Sequence, residues 1–257
     1  MELRLDGKTA LVTGGSKGIG KGIAKAFAEA GANVLITARK VEALEATAAE
    51  LGPTVSWLSA HSGRVEDAEL AVSTAIERFG SCDILVNNAA TNPFAGRLID
   101  APISAWDKTE EVNLRGPLLW TQVAWNAWMK DHAGCSVINT ASVGAFKTSA
   151  NLAVYSVLKA ALVQMTRQFA SELAPNVRVN AIAPAVIRTD FARILWEGER
   201  GAKTAKTYPM QRLGEPFDCG EAALYLAAGA TWMTGQTLIL DGGAMVSTIG
   251  TEDDESE

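Results

Sequence analysis

The sequence predicts an α/β fold, a seven-stranded parallel sheet wound in both directions with helices on its two faces. Three observations predict it. Short apolar, β-branched runs alternate along the chain with longer segments of 3.6-residue periodicity. The strand-like runs carry few polar residues, as strands covered on both faces should. A glycine-rich turn, Gly14-Gly15-Ser16-Lys17-Gly18-Ile19-Gly20, joins the first strand-like run to the first helical one.

The elements follow in order. Thr9–Thr13 reads as a strand and Gly18–Ala30 as a helix that Gly31 ends. Asn33–Thr37 is the next strand and Val41–Leu51 the next helix, broken by Gly52-Pro53 from the strand Val55–Ala60. Glu66–Phe79 is helical and stops at Gly80, before the strand Asp83–Asn87. Trp106–Asp131 reads as one long helix. The strand Ser136–Thr140, the helix Ala153–Leu173, the strand Arg178–Ala183, the helix Phe217–Ala228 and the strand Gln236–Leu240 complete the alternation. Thr189–Gln211 has no strand partner and mixes Phe191, Ile194, Leu195, Trp196, Tyr208 and Met210 with charges. A connection of roughly twenty residues inside a compact domain is usually functional or disordered, and residues 189–211 are read as a helical lid. With no repeat and no long linker, residues 1–250 are expected to form one domain. Thr251–Glu257, with five acids in seven residues, is expected to be a solvated, disordered tail.

Bulk properties narrow the function. The chain has 257 residues, 48% of them hydrophobic, and a formal net charge of -6. That balance argues against nucleic acid or an anionic membrane as the main partner. No window of ~18 uncharged apolar residues is present. The start, Met1-Glu2-Leu3-Arg4, places charges where a signal peptide needs an apolar run. The terminal Glu-Ser-Glu is not a peroxisomal address. A cytoplasmic enzyme is expected. Cys82, Cys135 and Cys219 are odd in number and widely spaced, and only His61 and His132 accompany them. Neither a disulfide framework nor a metal site is expected.

The glycine turn has the chemistry of a dinucleotide site. Gly14, Gly18 and Gly20 permit a tight turn and close backbone approach to a pyrophosphate. The first helical turn, with Ser16, Lys17 and Ile19 beside it, aims free N–H groups and a positive dipole end at phosphate. The spacing is not GxGxxG, but the strand–turn–helix context is that of a Rossmann domain. The plain alternative is a ligand-free turn. An NAD-preferring fold places an acid at the end of the second strand; here the run is Thr37-Ala38-Arg39-Lys40, and no acid appears until Glu42. Arg39, with Lys17 and Lys40, would attract a 2′-phosphate, which predicts NADP(H).

The second chemical feature is Tyr155 and Lys159, one helical turn apart and so on one face. A free phenol is a poor base at neutral pH. A neighbouring ammonium favours the phenolate, and bringing its pKa toward neutrality corresponds to roughly 3–4 kcal/mol of differential interaction. Tyr155 would then donate a proton to a carbonyl oxygen as hydride reaches its carbon, or accept one in reverse. Ser142 follows the strand that ends at Thr140 and is expected at the carboxyl edge of the sheet, where ligands bind. Asn113 lies mid-helix, where asparagine is a poor helix former. It is either an interior amide satisfied by backbone or an anchor for a water that passes protons to Lys159.

On these residues the chain resembles the short-chain dehydrogenase/reductase family over residues 5–246. The family's TGxxxGxG corresponds to Thr13–Gly20, its NNAG to Asn87-Asn88-Ala89-Ala90, and its Asn-Ser-Tyr-Lys tetrad to Asn113, Ser142, Tyr155 and Lys159. The resemblance implies an oxidoreductase in which Asn87 and Ala89 join the coenzyme site and Lys159 also binds the nicotinamide ribose. It further implies that Pro184, Ile187 and Thr189 hold the carboxamide. Two departures stand out. Pro184-Ala185 replaces the family's Pro-Gly, which either narrows the pocket or marks a glycine that never needed φ > 0. His61-Ser62-Gly63-Arg64 stands where the family often has an aspartate for adenine. Within the family, Asn92-Pro93-Phe94, Arg193-Ile194-Leu195-Trp196 and Arg212-Leu213-Gly214-Glu215-Pro216 resemble the NADPH-dependent carbonyl/retinal reductase branch. That implies a small-molecule substrate, a bulky apolar carbonyl lined by Phe94, Phe146, Ile187, Leu195 and Trp196, with ordinary core packing as the alternative for each. A 3-oxoacyl-acyl-carrier-protein reductase is the rival, although the helix ends Asp131-His132-Ala133 and Ala174-Pro175-Asn176 offer little positive charge for an acidic carrier. A catalytically silent NADP(H)-sensing module is more remote, because the tetrad is intact. Trp120, Trp125 and Trp128 fall within about a 100° arc and form a stripe. It either packs on the sheet or belongs to the four-helix interface of a homotetramer that the resemblance implies.

Overall fold

The computed structural model describes residues 2–149 and 151–247. The expected acidic tail, Thr251–Glu257, lies outside the described residues. The strands are β1 (Thr9–Thr13), β2 (Asn33–Ala38), β3 (Val55–Ser59), β4 (Ile84–Asn87), β5 (Cys135–Thr140), β6 (Val177–Pro184) and β7 (Thr237–Leu240). They form one sheet in the order β3-β2-β1-β4-β5-β6-β7, every pairing parallel. The winding reverses between β1 and β4, and the crevice at the carboxyl ends of these two strands is where open α/β sheets bind ligands.

Side-chain alternation covers both faces. Ala10 and Val12 of β1, with Val34 and Ile36 of β2, enter one core with Ile23, Phe27 and Leu44. Leu11 and Leu35 point the opposite way into a second core with Val72, Leu85, Trp120 and Val137. The first layer comes from α1 (Gly18–Glu29), α2 (Val41–Leu51) and α9 (Pro216–Leu224). The second comes from α3 (Val65–Phe79), α5 (Gly116–Ala127) and α6 (Ala153–Leu173). Helices α1 and α9 cross at contact distance because glycines face each other. A Cβ on Gly22 would lie 2.3 Å from the Pro216 carbonyl oxygen, and one on Gly220 2.5 Å from that of Gly22.

The long helix expected over Trp106–Asp131 is interrupted. It comprises α4 (Ile103–Glu110), a π-turn over Glu111–Arg115, then α5 and a short 3₁₀ turn, Met129–Asp131. Pro117 supplies a reason: it has no N–H, so the carbonyl of Asn113, four residues back, loses its α-helical donor. The segment expected as a lid contains two short helices, α7 (Arg193–Trp196) and α8 (Glu199–Thr207). It ends at Gln211, whose φ of 50° is positive, unusual for a residue other than glycine. The tryptophan stripe is internal only in part, with Trp125 and Trp128 half-buried. Trp120 is buried and donates its indole N–H to the Ser62 carbonyl at 3.0 Å, while Trp125 and Trp128 pack on the same core.

Candidate active site

The glycine turn lies at the β1–β4 crevice. Gly14 and Gly18 have φ of +66° and +55°, which side chains resist. A Cβ on Gly20 would come within 2.3 Å of the Gly14 carbonyl oxygen, and one on Gly15 within 2.7 Å of Ile36. Gly15 therefore serves packing on β2, a role the spacing did not reveal. Lys17 is the N-cap of α1, makes no side-chain cap, and is followed by no acid in the first turn. The leading N–H groups are thus left for an anion. This uncapped terminus, with a cradle that side chains would fill, fits a dinucleotide pyrophosphate. Ser16 is fixed by its carbonyl, which accepts from the Thr47 hydroxyl at 2.8 Å, and Ile19 packs against the first core. Arg39 and Lys40 follow β2, are exposed, and take no acid partner among the described residues.

The turn is wired to the rest of the sheet edge by Thr13 and Asn88, both within the quoted motifs, and by Thr140. The Thr13 hydroxyl accepts from the backbone N–H groups of Asn88 (3.0 Å) and Ala89 (3.1 Å). Asn88 Nδ2 donates to the carbonyls of Thr13 (2.9 Å) and Gly14 (3.3 Å), and Asn88 Oδ1 accepts from the Thr140 hydroxyl at 3.4 Å. The Thr140 carbonyl in turn accepts from Lys159 Nζ at 2.5 Å. A continuous path therefore runs from Gly14 to Lys159. Asn87 points elsewhere: its amide donates to Thr121 (3.2 Å) and Asn139 (3.0 Å) in a buried network, so its side chain is spent on the core.

Of the tetrad, α6 carries Tyr155 and Lys159, and Lys159 Nζ lies 5.4 Å from the Tyr155 ring centroid. Ser142 caps a 3₁₀ turn, its hydroxyl accepting from Gly144 N at 3.1 Å. Asn113 is fully buried in the π-turn. Its Oδ1 accepts from Thr91 N (2.8 Å) and its Nδ2 donates to Thr91 O (2.9 Å). The side-chain amide thus pins the loop after β4.

Burial sets the ionisation of the pair. It pushes the Tyr155 phenol up to about 12, against a hydrogen bond with Ser142 that lowers it. It pushes the Lys159 ammonium down to about 7. The expected depression of the phenol by its neighbour is not what the protein itself produces. Both groups are desolvated, and the amine is aimed at Thr140 rather than at the phenol oxygen.

After β6, Ala185 N donates to the Leu240 carbonyl at 2.9 Å. Gln211 is the only non-glycine residue with positive φ among those described, so Ala185 stands where glycine's freedom is not needed. Pro184 ends β6, and the buried Ile187 bridges to Gly214. The Thr189 methyl lies 3.1 Å from where a Cβ on Gly18 would be, which brings the start of the lid onto the glycine turn. Trp196 Nε1 donates to the Thr189 carbonyl at 2.8 Å, and Leu195 is half-buried beside it. The aromatic group nearest the phenol is one the reading left out of the pocket: the Phe191 ring, 6.1 Å from that of Tyr155. Phe94 folds over Gly96 of its own loop, and Phe146 is exposed after the 3₁₀ turn.

Comparisons with known proteins bear on this arrangement. A family model described as enoyl-(acyl carrier protein) reductase matches residues 14–245. Dehydrogenase/reductase SDR family member 4 of Homo sapiens is 40% identical over 245 residues, which cover 93% of this chain and 88% of that one. A Brucella melitensis structure described as short-chain dehydrogenase/reductase SDR:glucose/ribitol dehydrogenase superposes with a TM-score of 0.89 at 32% identity, covering 95% of this chain and 99% of that one. The 3-ketoacyl-(acyl-carrier-protein) reductase of the same organism, complexed with NADH, superposes with a TM-score of 0.85 at 35% identity, covering 93% and 98%.

Proposed function

The chain belongs to the short-chain dehydrogenase/reductase family, and within it we propose an NADP(H)-dependent carbonyl reductase, or alcohol dehydrogenase in reverse, with Tyr155 as general acid/base. One observation carries the reading: Tyr155 and Lys159 share a face of α6, and Lys159 is joined by hydrogen bonds through Thr140 and Asn88 to the glycine turn. When bound, the nicotinamide coenzyme supplies or takes the hydride. The protein's own residues handle the proton. Tyr155, pushed up to about 12, holds its proton at neutral pH and presents it to a carbonyl oxygen. The Ser142 hydroxyl accepts from Gly144 N and hydrogen-bonds the Tyr155 phenol, which sets it beside the same oxygen. Lys159, pushed down to about 7, changes charge near working pH and is suited to return a proton to the phenol while holding the coenzyme ribose. The Asn113 main-chain carbonyl, whose α-helical donor Pro117 removes, would be the acceptor for a water on that route. Phe191, whose ring lies near Tyr155, supports an apolar substrate wall to which Phe94, Phe146, Leu195 and Trp196 would contribute. A bulky apolar ketone or aldehyde would suit such a wall.

Arg39 and Lys40, without acid partners, and Lys17 on the turn favour NADP(H) over NAD(H). Two charge-assisted contacts of about 1.5–3 kcal/mol each would give two or more decades of preference. The test is kcat/KM with NADPH and NADH over a ketone and aldehyde panel followed at 340 nm. NADPH is expected to win, and Tyr155→Phe to abolish turnover with NADPH binding kept. NADH equal to or better than NADPH removes the coenzyme assignment; turnover by Tyr155→Phe removes the proton assignment.

A second reading is a 3-oxoacyl-acyl-carrier-protein reductase, favoured by the likeness to the NADH-bound Brucella protein. Faster turnover of an acyl-carrier thioester than of free ketones would select it. A cytoplasmic location is part of the first proposal; no helix among the described residues is long and apolar enough to cross a membrane.

A further inference from the structure

We propose that Asp190 is a positioning residue that ties the lid to the glycine turn and competes with the coenzyme's 2′-phosphate for Lys17. The inference rests on the reading of that turn as a coenzyme site. Asp190 Oδ2 lies 3.8 Å from Lys17 Nζ, and Asp190 Oδ1 accepts from Arg193 at 2.9 Å. The carboxylate therefore bridges the cation at the start of α1 and the first residue of α7. Its neighbour Thr189 repeats the junction. The Thr189 methyl faces Gly18, its carbonyl accepts from Trp196 Nε1, and its hydroxyl accepts from Ala192 N at 3.3 Å. Helix α7 is thus built on the dipeptide that sits on the glycine turn. The next residue, Phe191, holds its ring 6.1 Å from Tyr155. One short segment consequently touches the coenzyme turn at one end and the proton donor at the other.

The competition follows from charge. Lys17 is the one cation inside the turn, and the acid it meets is on the lid. An ammonium drawn to a 2′-phosphate leaves Asp190, and α7 loses one of its ties to the turn. A coenzyme without that phosphate does not draw Lys17 in this way. Asp190 thereby tempers the preference for NADPH and links coenzyme choice to the lid that covers the substrate. Because the pair is exposed, the effect is modest, of the order measured for surface ion pairs.

The test uses full-length protein and the variants Asp190→Asn, Lys17→Met and their combination. Coenzyme binding is read by intrinsic fluorescence, and lid protection by amide hydrogen exchange over residues 192–196 without coenzyme. Asp190→Asn is expected to tighten NADPH about two- to five-fold with NADH unchanged, and Asp190→Glu to restore the original ratio. Asp190→Asn and Lys17→Met should each speed lid exchange about two- to five-fold, with the double variant no faster than either. An unchanged NADPH-to-NADH ratio in Asp190→Asn, exchange at the original rate, or additive effects in the double variant overturns the proposal. Neither readout requires turnover. A chain that reduces no carbonyl but behaves as stated would sink the reductase reading and keep this one.

Discussion

Lys159 and Tyr155 respond to the same desolvation by preferring their neutral forms, and this has a consequence for stability. Folding lowers the lysine to about 7 from an ordinary 10.5. Between those values the unfolded chain binds more protons than the folded one, so stability rises with pH across that window. The phenol, pushed up from 10.0 to about 12, gives the opposite slope only above its ordinary value. Lys159→Met should therefore remove a stability gain that the natural chain shows between pH 7 and about 10. The urea midpoint of the natural chain is expected to rise steadily relative to that of the variant over that range; a constant difference would mean that Lys159 stays charged. The Tyr155–Lys159 spacing was legible because one helical turn fixes it. The Thr140 carbonyl that takes the amine was not, because it lies on another element. Asn87 and Asn88 show the same limit. They are adjacent and identical, yet one amide enters the core network with Asn139 and the other spans the glycine turn and β5.

At the scale of elements, the α1–α9 crossing depends on two backbones meeting without side chains between them. Gly22→Ala would drive a methyl into the Pro216 carbonyl. Neither helix can move freely, because α1 starts at the glycine turn and α9 begins at a proline held by the Glu215–Asp218 capping box. The expected cost is about 1–3 kcal/mol, a melting temperature lower by several degrees for a chain of this size. Thermal denaturation checks it, and a melting curve that matches the natural chain would show that α9 shifts at no cost. All seven strands were readable from β-branched runs, within one or two residues of their ends. The Trp106–Asp131 segment was not, because apolar periodicity continues straight through a π-turn. Pro117, four residues after Asn113, was the available sign. That turn matters to the site. Asn113 holds the loop after β4, while Glu111 accepts from Lys108 (2.9 Å) beside His61 in the loop after β3.

At the scale of the whole molecule, Trp120 is committed to the chain's own core, while Trp125 and Trp128 are only half-buried against it. The surface left to α5 and α6 is of another kind. Val157 is exposed on α6, followed at helical spacing by Ala160, Gln164, Arg167 and Ser171, also exposed. On α5, Gln122, Asn126 and Ala127 face outward. Small and polar side chains of this sort let helices approach closely, and a two-fold axis would set the same stripe against itself. The homotetramer that the family resemblance implies would be joined through α5 and α6, with an expected light-scattering mass of four 27.1 kDa chains. Val157→Arg would place a cation at the start of the stripe and, across the axis, beside Arg167 or its own copy. Like charges brought together at a contact are destabilising, and the variant is expected to shift to smaller assemblies at micromolar concentration, with its fold retained by circular dichroism. A monomer in the unsubstituted protein would remove the assembly altogether. A tetramer unchanged by Val157→Arg would move the contact to another face.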